Sequence, residues 1–115
     1  MGRNMKNRHL EDIVPPMKLC QRIPNGKFAN SVLVWDCSHG WVILRPPDAE
    51  LFGRVPAPTL EEIMEEMRKD HEQVAVTNRQ SGGWCVHGWD FLPEDDKNAA
   101  TAAIRVFLRS VRATR

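Results

Sequence analysis

Two stretches of the chain alternate in the way that half-buried strands do. Val32-Leu33-Val34-Trp35 and Trp41-Val42-Ile43-Leu44 flank the polar turn from Asp36 to Gly40, and Val74-Ala75-Val76-Thr77 and Trp84-Cys85-Val86-His87 flank a turn holding Asn78, Ser81, Gly82 and Gly83. β-branched and aromatic runs bounded by turn formers predict two β-hairpins. A helical period follows each. Thr59 and Glu62 form a capping box ahead of Leu60, Ile63, Met64 and Met67, which share one helical face. Further on, Pro93 suits a first helical turn, and Glu94, Asp95 and Asp96 suit the positive end of a helix dipole. Behind them runs a stripe of Ala99, Ala100, Ala103, Ile104, Phe107, Leu108 and Val111.

The chain thus reads as ββα twice. The simplest assembly is an α+β two-layer sandwich, one four-stranded antiparallel sheet with both helices on one face. Placing the two hairpins in separate sheets is the runner-up. The repeated scheme would suit an internal duplication, although two unrelated hairpins also look alike at this level. Upstream, Pro15-Pro16 interrupts any helix, and Met17, Leu19, Cys20 and Ile23 give the following turns an apolar side, so a short helical arm should precede the sandwich. Residues 1–9 read as a flexible tail and residues 10–115 as a single domain.

Alternation along the strands predicts that Val32, Val34, Trp41, Ile43, Val74, Val76, Trp84 and Val86 lie beneath the helices, with Trp41 and Trp84 as buried core. The opposite face would carry Leu33, Trp35, Val42, Leu44, Ala75, Thr77, Cys85, His87 and Trp89. So apolar a face needs a cover. The arm, a second copy of the chain or a different protein could supply it, and Leu33, Trp35, Val42, Leu44, His87 and Trp89 are the expected partner-binding residues.

At 115 residues the chain has room for one core, and 42% hydrophobic with 27% charged residues excludes a disordered or coiled-coil chain. Sixteen Lys and Arg against fifteen Asp and Glu leave a net charge of +1, so no overall field points to nucleic acid or an anionic membrane. One local stripe does: Arg105, Arg109 and Arg112, with Arg115 beyond, recur at helical spacing, making nucleic-acid binding the alternative function. Cations at a helix C-terminus are also favoured by the dipole alone.

Three cysteines, none in a CxxC spacing, argue for a reducing, cytoplasmic setting, and no apolar run approaches membrane-spanning length. Cys37 with His39 and Cys85 with His87 could form a zinc set only if the hairpins brought them together, yet the two pairs occupy different places in their hairpins. The same residues make a poor nucleophile and base, because strand neighbours two apart begin roughly 7 Å apart and no third group orients the histidine. Glu61, Glu62, Glu65 and Glu66 read as a solvated helix face. With no phosphate loop, GxSxG elbow or HExxH helix, no catalytic residue, metal or cofactor is expected.

The run Pro58-Thr59-Leu60-Glu61-Glu62-Ile63, after a hairpin with Trp35 and Trp41 and before a second hairpin and an alanine-rich helix, resembles small uncharacterised proteins of bacteriophages and prophages. The likeness extends over residues 17 to 111. It implies an accessory protein that acts by binding, with inhibitors of bacterial defence systems as a natural subset, and it supplies no catalytic residue.

Overall fold

Both hairpins form in the computed structural model, which describes residues 8–45 and 53–113. Strand β1 (Leu33–Asp36) pairs with β2 (Trp41–Leu44), with Val34 opposite Ile43, and β3 (Arg54–Pro56) pairs with β1 on its other side. Strand β4 (Val74–Asn78) pairs with β5 (Trp84–Gly88), with Val76 opposite Val86, and β6 (Glu94–Asp96) pairs with β5. The protein is therefore α+β, but the four-stranded sheet is replaced by two three-stranded antiparallel sheets, β2-β1-β3 and β4-β5-β6. Each hairpin recruits a third strand from the segment just after it, which closes a shorter loop than reaching the other hairpin would. The third strand adds to the first strand of one hairpin and the second strand of the other, so the two units differ in topology.

The helices also distribute differently from expectation. Helix α3 (Leu60–Met67) starts at the capping box: the Thr59 hydroxyl accepts from the Glu62 N–H, and the Glu62 carboxylate accepts from the Thr59 N–H at 2.8 Å. Its buried face of Ile63, Met64 and Met67 joins α4 (Ala99–Ala113) and the second sheet, in one core with Val86, Ile104 and Phe107. Helix α4 begins six residues later than Pro93. Asn98 caps it, its Oδ1 accepting from the Thr101 N–H at 2.9 Å, while the acidic residues upstream serve as β6.

Among the described residues, the helical arm at the N-terminal end is what covers the first sheet. Helices α1 (Arg8–Asp12) and α2 (Met17–Cys20) flank Pro15-Pro16, and Val14, Cys20, Leu33, Trp35, Val42 and Ala57 form a second buried cluster. The Trp35 indole N–H donates to the Pro15 carbonyl at 2.9 Å, pinning arm to sheet. Ile23 packs against both clusters, Phe28 at φ 58° lays its ring edge-on against Phe107, and Lys27 bridges to Glu66 at 3.0 Å.

Three core assignments are corrected by this arrangement, the first being Val32, which is exposed just ahead of β1. Trp41 is only half-buried and stacks on His39, with ring centroids 4.7 Å apart, and Trp84 is exposed. Trp41 lies on the side of β2 opposite Val42, which the arm covers, and Trp84, on the same side of β5 as the buried Val86, sits at the hairpin end of that strand opposite Asn78.

Candidate functional site

The expected binding face divides into core and surface. Leu33, Trp35 and Val42 lie buried under the arm, so these three are not a docking surface but the reason the arm docks. His87 is half-buried on the second sheet. Leu44 and Trp89 remain in solvent, and the structure does not bring them into one patch with the others.

Trp89 instead belongs to a loop between β5 and β6 that sequence reasoning passed over. Trp89 is 75% exposed and Leu92 74%, while Phe91 between them turns inward against the core shared by α3, α4 and the second sheet. The alternation is enforced from below. Gly88 lies so close to the Gln73 carbonyl and the Phe91 ring that a Cβ there would overlap both. His71, after α3, packs against Phe91 with ring centroids 5.0 Å apart, and its Nδ1 lies 2.9 Å from the Asp90 carboxylate. From α4, Arg109 donates to the Leu92 carbonyl and pairs with Glu94 at 2.7 Å. A loop tied to α4, to β6 and to the turn after α3 thus presents two large apolar side chains to water. The sequence signal was Gly88-Trp89-Asp90-Phe91-Leu92, an apolar run in a segment too short to be a helix.

His71 extends this brace, since its Nε2 lies 3.3 Å from the Ser110 hydroxyl. Ser110, His71 and Asp90 therefore stand in the order of a hydrolytic triad. The hydroxyl has a single proton, however, and the Val106 carbonyl one turn back on α4 is the nearer acceptor at 3.1 Å. Inside a helix the neighbouring amides are also engaged, which leaves no oxyanion donors beside the serine. The arrangement serves as a strut between α4 and the loop.

The remaining chemistry-bearing residues are dispersed. Cys37 accepts from the Gln21 side chain, and His39 pairs with Asp36 at 3.0 Å, both at the end of the first sheet. Cys85 is buried in the second sheet, and its thiol is pushed up by burial and by Asp95 across the ladder. Burial likewise pushes the Cys20 thiol up to about 12. Among the described residues no group of three His, Cys, Asp or Glu side chains could hold a metal ion, and no helix is long and apolar enough to cross a membrane.

Two arginines of the expected basic stripe are exposed but paired with acids. Arg105 pairs with Asp96 at 2.9 Å, and Arg109 with Glu94. The side chain of Arg112, like residues 1–7 of the expected tail and Arg115, lies outside the described residues. No protein-family model, curated protein or solved structure matches the chain.

Proposed function

We propose that this chain is a non-enzymatic phage or prophage accessory protein that works in the bacterial cytoplasm by binding another protein through the loop carrying Trp89 and Leu92. The observation that carries the reading is the pairing of exposure with bracing: both side chains are about three-quarters exposed on a loop fixed from beneath. Tryptophan is enriched among residues that dominate binding energy, and a loop already ordered loses little freedom on docking. On the phage resemblance the partner would be a protein of a bacterial host, where a defence component is the first class to try.

A second copy of the chain would satisfy the same loop, so the test has two stages. Sedimentation of the pure protein, with Trp89→Ala alongside, shows whether the loop mediates self-association. Capture from host lysate then compares the wild type with Trp89→Ala and Leu92→Ala, each checked for an unchanged melting temperature. Loss of a captured protein or of a dimer in the variants supports the reading. Binding that ignores both substitutions overturns it. A salt-sensitive complex with DNA or RNA, lost on replacing Arg105, Arg109 and Arg112, would favour the nucleic-acid alternative.

A further inference from the structure

A different surface, independent of the Trp89 loop, offers backbone rather than side-chain anchors. β4 is an edge strand, bonded only to β5 among the described elements. The Arg79 N–H donates to the Gly83 carbonyl at the hairpin end, so by alternation Thr77 and Ala75 exchange hydrogen bonds with β5. The N–H and C=O groups of Val74, Val76 and Asn78 therefore point away from the sheet. Such an edge is a template for another strand.

The edge is not bare. Beside it, between β4 and α3, runs a groove of about 450 Å³ with Leu60, Met64 and Val76 as its apolar floor. Glu61, Glu62 and Glu65 line it against a single cation, Arg68. Glu62 is spent on the capping box and the Val32 N–H, whereas Glu61 and Glu65 have no ion-pair partner among the described residues. The other edges are poorer templates. α1 lies against β2, and β3 and β6 are three residues long.

We propose that β4 captures an extended segment of another protein in which apolar residues and Lys or Arg follow one another at every second position, so that both share the face turned to α3. The backbone pairs with the outward groups of β4, the apolar side chains on the face toward α3 enter the groove, and the cations two residues along the same face meet Glu61 and Glu65. The acidic lining argues against a second copy as occupant, because two-fold pairing of β4 with itself would bring two such grooves together.

The test uses a seven-residue capped peptide with Thr at the odd positions and Val, Lys and Val at the even ones, with a counterpart carrying Glu in place of Lys, titrated into the intact protein and followed by amide chemical shifts and hydrogen exchange. The Lys peptide should shift residues 74–78 and 60–68 and slow exchange at Val74, Val76 and Asn78. Glu61→Lys with Glu65→Lys should weaken it by roughly tenfold or more, and Glu65→Gln, which keeps the helix face intact, by less. The proposal is overturned if neither peptide moves β4, if the Glu peptide binds as well, or if the three amides become protected with protein concentration alone. Shifts confined to the loop of Trp89 would also overturn it, and would leave the proposed function standing.

Discussion

Gly88 shows how a single missing side chain sets the geometry of the exposed loop. Adding one carbon there meets the Gln73 backbone and the Phe91 ring together, and the backbone atom cannot move aside cheaply. Gly88→Ala should therefore destabilise the protein by about 1–3 kcal/mol, as overpacking does, and lower the melting temperature measurably. Trp35 and Trp89 make a second contrast at this scale. Trp35 is buried and bonded to the arm, so Trp35→Ala should cost about 3–5 kcal/mol. Trp89→Ala should stay within about 0.5 kcal/mol, as surface changes do, with its effect read in binding. The thiols differ in the same way. With Cys20 and Cys85 buried and both pushed up, a mild alkylating agent at neutral pH should label Cys37 first, which peptide mapping would reveal.

At the scale of elements, α3 depends on a reciprocal cap, and Thr59→Ala should cost about 1 kcal/mol in urea unfolding. That cap was legible because its chemistry is local: Thr59 and Glu62 need only each other. Both hairpins were legible for the same reason, their turns and strands being contiguous. The third strands were not. Arg54-Val55-Pro56 reads as a proline-rich linker, and proline is tolerated there because β3 is an edge strand. Glu94-Asp95-Asp96 reads as a helix start, and nothing local reveals that α4 will place Arg105 and Arg109 opposite Asp96 and Glu94. The candidate site was half visible. Trp89 was among the expected partner-binding residues, but it and its neighbours were assigned from strand parity on a sheet that does not exist, and parity cannot tell which face the arm will choose.

Across the whole molecule, carboxylates held low in the folded state couple stability to pH, Asp36 and Glu66 among them. A hydrogen bond with His39 holds Asp36 below the usual carboxylate range, and hydrogen bonds from Lys27 and then Lys69 do the same for Glu66. A carboxylate lowered in the folded state contributes stability that is fully present above its unfolded value, about 4, and lost as pH falls through the folded value. Melting temperature should thus decline below about pH 4, and Glu66→Gln should flatten part of that decline. The two sheets carry a further consequence, in time rather than energy. Each is built from three strands consecutive in the chain, with no strand exchanged between them. Chains whose partners are near neighbours in sequence search less before meeting. The two halves should form early and separately, with the junction at Ile23, Lys27 and Phe28 closing last. Stopped-flow refolding should then show Phe28→Ala speeding unfolding while leaving the folding rate almost unchanged.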